Sequence, residues 1–470
     1  MENKSKKLIK NSAIFMIGSI GSKFIQFFLV PLYTYTMSTE QFGVSEVILT
    51  ATNLLIPVFS VSIADGLLRF GIDPKHDKGS VLKNSLIITV FGSLLSIVCS
   101  PILGLYETLS SWMPFFLIIL NLRIYRDVFA IHLKIEERNL LFAIDSMVYT
   151  FVLCISNFLF LVYFKLGIYG YFIAYIVANV VSIVFLIIIG KPFQVLRNGK
   201  IDIKLLKEIF IYSLPMIVNG VSWWLTSASD KLMLDYFLGE SKVGIYAAAT
   251  KIPSLISTFT SVFNQAWIIS AVQEYDDERD TNFFSKTFKN YYALLFIGVI
   301  SLIAILKPFM SIYVGPTFVE AYKYAPLLVT SSAYSSMAAF TVGVYASTRK
   351  NINVTITTIF GAVINIGLNY CLIPIIGIMG ATIATLVSWM VIFFVRVVDM
   401  KKFFPFFVDL RRIGLYTIFA ICGCLLMAFF DYLIALIISI VFIIIVLILE
   451  KDLVMNLKNM ITKKMWVKKS

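Results

Sequence analysis

The sequence predicts an all-α integral membrane protein of about fourteen transmembrane helices: two six-helix blocks in parallel repeat, plus two further C-terminal helices. Three observations predict it. The 470 residues are 59% hydrophobic and 14% charged, with a mean hydropathy of +0.88, whereas a soluble domain is about half apolar and a quarter charged. Lysine and arginine fall almost entirely in alternate loops. The chain also echoes itself near the middle.

A membrane span takes roughly 20 apolar residues. In chain order the apolar stretches fall at 11–35, 43–68, 82–103, 111–131, 143–164, 168–190, 209–236, 243–270, 288–312, 325–347, 354–375, 377–398, 411–429 and 431–449. The loops between them are too short for a soluble domain. The first stretch follows a basic segment but is too long for a signal-peptide core, and no small-residue cleavage site follows it, so it is expected to remain.

The net charge of +13 raises the question of nucleic acid, and the distribution of that charge excludes it. With the N-terminus inside, the basic residues gather in both termini and in the loops after even-numbered spans. Only Lys165, Lys242, Lys307 and Lys323 fall on the opposite side, and Lys23, Lys231 and Lys251 lie within or at the ends of spans. This asymmetry is the positive-inside signature; it places both termini in the cytoplasm of a cytoplasmic (inner) membrane and requires an even number of spans. The basic residues are then topology signals beside anionic lipid.

The two blocks become visible when the chain is shifted by 201 residues. Ser12 then meets Ser213, Tyr35 meets Tyr236 and Gly43 meets Gly244. A second echo joins spans 5 and 6 at Gly167-Ile168-Tyr169-Gly170 and spans 11 and 12 at Gly377-Ile378-Met379-Gly380. Each block has an even number of spans, so the copies share one orientation, an architecture of secondary transporters with the substrate site between the halves. The divisions are 1–200 for helices 1–6, 201–405 for helices 7–12, and 406–470 for helices 13–14 with a basic tail.

Charge inside lipid usually faces a cavity or a partner. Lys23 lies near the middle of span 1, with Gln26 in its neighbourhood. Asn53 is near the middle of span 2, and Arg123, Arg126 and Asp127 are halfway along span 4. Asn219, Trp223, Thr226 and Asp230 form one stripe of span 7; Tyr246, Thr250, Ser257 and Asn264 form one in span 8, beside Lys251. Lys231 and Asp235 sit close enough to the end of span 7 to snorkel. Pro31, Pro57, Pro215 and Pro253 bend their helices. The five cysteines are read as small apolar core residues. His76 and His132 are read in inner loops, and the acidic run 276–280 as a solvated loop. No glycine loop for nucleotide phosphates is present, and no metal or cofactor is expected. A membrane glycosyltransferase or polymerase would need a long outer loop with paired acids, which is missing.

The segments LVPLYTYTMSTEQFG from Leu29, IADGLLRFG from Ile63, SLPMIVNGVSWWLTSASDK from Ser213, GIYAAATKIPSLIS and FNQAWIISAVQEY in span 8, and NIGLNYCLIPIIGIMGATIATLVSW from Asn365 together resemble the Wzx-type polysaccharide flippases of the multidrug/oligosaccharidyl-lipid/polysaccharide exporter superfamily. The resemblance covers spans 1–12. Lys231 stands where relatives often have Arg, and Asp65 where they often have Glu; both keep the charge. The resemblance implies two lobes around a central cavity, and transport of a polyprenyl-diphosphate-linked oligosaccharide to the outer leaflet for a capsule, exopolysaccharide or surface antigen. Lys23, Arg123, Arg126 and Lys251 suit the pyrophosphate. Asn53, Asn219, Trp223, Trp224, Tyr246 and Asn264 suit the sugars, and Gln26 is a further candidate for the cavity. With no nucleotide site, energy is expected from an ion gradient (H+ or Na+), membrane potential or product consumption, and Asp65, Asp145 and Asp230 are the carboxylates for ion coupling. Polymerase and glycosyltransferases of one pathway are the expected partners, and the protein itself is not expected to be an enzyme. The runner-up is a drug or cation antiporter of the same superfamily, which would favour an acidic cavity.

Overall fold

A computed structural model describes residues 21, 25–277, 280–451 and 455, apart from the side chains at 219, 222–228, 276 and 277. Among the described residues the chain is helical and contains no strand. The helices are α1 (25–36), α2 (Thr39–Phe59), α3 (Ile63–Ile72), α4 (Lys78–Val98), α5 (Met113–Ile135), α6 (Asn139–Asn157), α7 (Gly167–Gly190), α8 (Ile203–Leu238), α9 (Glu240–Asp277), α10 (Thr281–Tyr313), α11 (Ala325–Ser347), α12 (Asn351–Ile376), α13 (Ile378–Met400), α14 (Leu410–Phe429) and α15 (Tyr432–Leu449), with shorter turns between. Helices α2 and α3 together make the second expected span, so the fifteen labels correspond to the fourteen expected crossings. Among the described residues eleven helices are long and apolar enough to cross a membrane. Helix α5 is outside that set because Arg123, Arg126 and Asp127 crowd its middle.

Local chemistry fixes the starts of several helices. Ser38 and Gln41 form a reciprocal capping box at α2, in which the Ser38 hydroxyl accepts from Gln41 N at 3.1 Å. Asp77 caps α4, Asp202 caps α8, Asp280 caps α10 and Asp409 caps α14. The Ser80 hydroxyl and N–H hold the Asp77 carboxyl below the usual carboxylate range.

Helices α8, α9 and α10 run beyond the apolar stretches, starting at Ile203, ending at Asp277 and starting at Thr281. Each extension is six or seven residues, about 10 Å of helix. Helical hydrogen bonding continues through polar sequence where hydropathy does not, so Asp276 and Asp277 close α9 rather than lying in a loop. By the same reason His132, read in a loop, is buried in the last turn of α5. The five cysteines are unpaired and none is fully buried. The core reading fails for them because a helix facing hydrocarbon has apolar positions on its outside as well.

The chain divides into two compact units, 1–247 and 248–470. Within the first, Gly167 turns with φ +54° into α7, and Gly170 brings a would-be Cβ within 3.0 Å of the Phe160 carbonyl oxygen. Within the second, Gly377 turns with φ +63° into α13, and a Cβ on Gly380 would lie 2.7 Å from the Leu372 carbonyl oxygen. In each echo the first glycine supplies the left-handed turn and the last lets the returning helix touch its predecessor.

Candidate functional site

In the first unit, α5, α6 and α7 meet around one buried charge. Arg126 donates from Nη2 to Asp145 Oδ2 at 2.8 Å and from Nε to Ser182 Oγ at 2.6 Å. Ser182 in turn donates to Asp145 Oδ1 at 2.5 Å, and the guanidinium lies 4.1 Å from the centre of the Tyr149 ring. Asp145 is 1% exposed. A buried pair of this kind holds only because the remaining oxygens and protons are also satisfied. Arg126 and Asp145 are thus joined to each other. One turn away, Arg123 donates to the side-chain oxygen of Asn53 on α2. Among the described residues Arg123 has no carboxylate ion pair.

A second cluster sits where the α1–α2 and α8–α9 hairpins meet. A Cβ on Gly43 would lie 1.7 Å from the Glu240 carbonyl oxygen, and one on Gly244 would lie 2.0 Å from the Thr39 carbonyl oxygen. Thr39 and Glu240, like Gly43 and Gly244, are equivalent positions in the repeat, so the contact is reciprocal. The Thr39 and Ser241 hydroxyls are 2.9 Å apart. Lys231 pairs with Glu46 at 2.5 Å, Tyr246 donates to Asp230 at 2.5 Å, and Tyr106 and Thr108 donate to Asp235 at 2.6 and 2.7 Å. Lys231 and Asp235, allowed to snorkel by their position, are both bonded within this cluster.

Helix α2 ends at a break. Val61 and Ser62 both take left-handed dihedrals (φ +54° and +47°), which cost a side-chain-bearing residue about 1–2 kcal/mol each. Beside this break Asp65 and Asp127 line a cavity of about 200 Å3 with Ser60 and Ser62.

In the second unit Lys251 and Asn264 are half-buried on α9. Below Asn264, Trp267 stacks on Phe340 with ring centres 4.1 Å apart and donates from Nε1 to the Phe340 carbonyl oxygen at 2.8 Å. Gln26 on α1 is exposed. Lys23, and the side chains of Asn219, Trp223 and Trp224, lie outside the described residues.

Three intramembrane charges escaped the sequence reading. Glu46 lies in the first turns of α2, Arg396 near the end of α13, and Glu450 just after α15. Arg396 was grouped with the basic inner loop, yet it is 3% exposed inside the helix bundle. Glu46 and Arg396 could have been noticed as charges within otherwise apolar stretches.

This set of helices defines a multi-pass membrane protein with the fold of the MOP-superfamily transporters. The lipid II flippase MurJ in an inward closed conformation superimposes with a TM-score of 0.69 at 16% identity, covering 94% of this chain and 100% of that one. An inward-facing multidrug resistance MATE family transporter of the MOP superfamily gives 0.67 at 14% identity, over 81% and 95%. At these identities the likeness is one of fold. The chain belongs to the polysaccharide biosynthesis protein family, which it matches over residues 8–269. It is 22% identical over 209 residues to the capsular polysaccharide biosynthesis protein CapF of Staphylococcus aureus, covering 43% of this chain and 51% of that protein, so it spans about half of that relative. An uncharacterized membrane protein of Methanocaldococcus jannaschii is 22% identical over 433 residues, 83% of this chain and 97% of that one.

Proposed function

We propose that this protein is a flippase for polysaccharide biosynthesis, moving a polyprenyl-diphosphate-linked oligosaccharide from the inner to the outer leaflet of the cytoplasmic membrane by alternating access without ATP hydrolysis. Family membership and the transporter fold support the class. The substrate reading rests on Arg123, an intramembrane cation hydrogen bonded to an amide oxygen. A charge-assisted bond to a phosphate oxygen is stronger than one to a neutral acceptor, so a diphosphate can displace Asn53 from Arg123. Lys23 and Lys251 are proposed to serve the same headgroup. Asn53, Tyr246, Asn264, Gln26, Asn219 and Trp223 are proposed for the sugars. The lobes are taken as 1–200 and 201–405, with 406–470 appended and both termini cytoplasmic.

The test is depletion followed by leaflet-resolved lipid analysis. Loss of the protein is expected to leave complete polyprenyl-diphosphate oligosaccharides on the inner leaflet and to abolish surface polymer. Units that reach the outer leaflet but remain unpolymerised would instead assign an enzymatic step there, and unchanged lipids and polymer would return the antiporter reading. Lys23→Ala is expected to abolish polymer output while the protein remains inserted and abundant; normal output would remove Lys23 from the mechanism.

A further inference from the structure

In the second unit a cleft of about 570 Å3 opens between α12 and α13. Its walls are apolar: Ile356 from α12, and Phe394, Val395 and Val398 from α13. Ile356 and Val398 are 59% and 62% exposed at its mouth, and the exposed face of α12 continues through Phe360 and Val363. An exposed face made of large apolar side chains marks a contact with lipid or a partner. The other end of the cleft is polar, with Asn353, Asp399 and Lys402. Asp399 Oδ2 accepts from Asn353 Nδ2 at 2.7 Å and from the Tyr345 hydroxyl at 3.0 Å, and Asp399 Oδ1 accepts from Lys402 Nζ at 3.4 Å. The floor is held from behind by the buried Arg396, whose Nε donates to Oγ1 of the lining residue Thr357.

The polar end is rich in cations. Arg349 and Lys350 precede α12, Lys401 and Lys402 follow α13, and all four are exposed. Lys350 Nζ lies 4.0 Å from the centre of the Phe403 ring, which brings the loop before α12 against the end of α13. Asp399 is the carboxylate among the lining residues, and both its oxygens are engaged, so it braces Asn353 and Lys402 at the mouth. An ammonium has three donors and an amide two; Lys402 and Asn353 therefore have donors beyond those given to Asp399. A cationic end joined to an apolar slot has the layout of a phospholipid, phosphate first and acyl chain after. Basic pockets between transmembrane helices on the cytoplasmic side bind anionic headgroups. From Lys402 to Phe394 the helix runs about 12 Å, room for the upper part of one acyl chain.

We propose that the α12–α13 cleft seats an anionic phospholipid, with its phosphate on Lys402 and Asn353 and one acyl chain against Ile356, Phe394 and Val395. Its leaflet, the inner one, rests on the cytoplasmic termini of the flippase reading; the binding itself does not. Delipidated full-length protein in detergent is titrated with phosphatidylglycerol, with phosphatidylcholine of the same chains and with inorganic phosphate. Native mass spectrometry counts the lipids retained, and thermal unfolding reads their effect on Tm. Preferential retention of phosphatidylglycerol and a rise in Tm with that lipid alone are expected. Lys402→Gln is expected to weaken phosphatidylglycerol binding about fivefold, the effect of one basic residue near the membrane surface. Val398→Trp, which narrows the slot and leaves every charge in place, is expected to weaken it too. Lys402→Arg should keep it, and so should Lys165→Gln, which removes a cation from the other unit. Both cleft positions are exposed, so these variants are expected to fold, and monodispersity checks it. Equal retention of the two lipids would overturn the proposal, as would a Tm rise from inorganic phosphate alone. Unchanged binding in Lys402→Gln or Val398→Trp, or an equal loss in Lys165→Gln, would do the same. Lipid flipping is not read, so failure of the flippase proposal would leave this result untouched.

Discussion

Arg126 and Lys231 in one compact unit and Arg396 in the other are held in different ways. In residues 1–247 cations meet carboxylates: Arg126 with Asp145, Lys231 with Glu46. In residues 248–470 the most deeply buried cation, Arg396, meets neutral oxygens. Its Nε donates to Thr357 Oγ1 at 2.9 Å, Nη1 to the Ala338 carbonyl oxygen at 2.8 Å, and Nη2 to Thr358 Oγ1 at 2.9 Å and the Val354 carbonyl oxygen at 3.2 Å. Helices α11, α12 and α13 are thereby tied by one side chain. At the other end of the second unit Glu450 keeps the carboxylate–cation arrangement, accepting from Arg412 at 2.7 Å and Tyr416 at 2.9 Å, with Lys289 at 3.2 Å. A carboxylate partner can be replaced by another anion or by a proton. A helix carbonyl already engaged in its own helix cannot move without unfolding a turn. Arg126 and Lys231 in the first unit therefore have partners that can be exchanged, whereas Arg396 in the second fastens helices.

The strongest test of that contrast is Asp145→Leu, which strands Arg126 in the bundle and is expected to destabilise the protein by about 3–5 kcal/mol. Arg126→Met with Asp145→Leu should recover most of that loss, because both charges are then gone. Reversible unfolding in detergent measures both; a double variant no better than the single one would make the pair a fastener too. Arg396→Met follows, at about 2–3 kcal/mol for hydrogen bonds made by a charged group. No single second substitution should rescue it, because its partners lie on two helices. A rescue by Thr357→Val alone would erase the distinction between the units.

A smaller effect is expected at the hairpin contact. Lys231→Met removes the ion pair with Glu46 and should loosen the contact by about 1 kcal/mol, raising the open population about fivefold. Maleimide labelling of a Thr39→Cys variant reads this directly, and an unchanged rate would mean that the Gly43–Gly244 contact suffices alone. The smallest effect belongs to Asp77→Ala, an exposed cap worth about 0.5 kcal/mol. The Asp77 carboxyl is held low in the folded protein, so its contribution is present above its unfolded value of about 3.9. It fades as the pH falls through the lower folded value. A gap between the two proteins that widened on acidification would contradict this sign.

Hydropathy gave the number of crossings, and the helix ends it missed were those where polar turns continue α8, α9 and α10. The glycine echoes were legible because a left-handed turn or a close helix contact leaves only glycine as a choice. Partnerships were less legible. Asp145 read as a free carboxylate for ion coupling, but Arg126 is 19 residues away in sequence and Ser182 is 37 away. Asp230 and Tyr246 shared a stripe assignment on two helices, yet nothing in the spacing joined them. Lys23, placed mid-span by the sequence, lies outside the described residues.

By itself the sequence determined that this chain lives in a membrane, about how many times it crosses and where its glycine turns echo each other. Each of those follows from local physics: apolar length, loop charge and glycine conformation. Only the tertiary structure decided which polar residues are neutralised and which stand open. Ion pairs and hydrogen bonds depend on atoms a few ångströms apart that come from different helices, and helix packing, not sequence proximity, sets those distances.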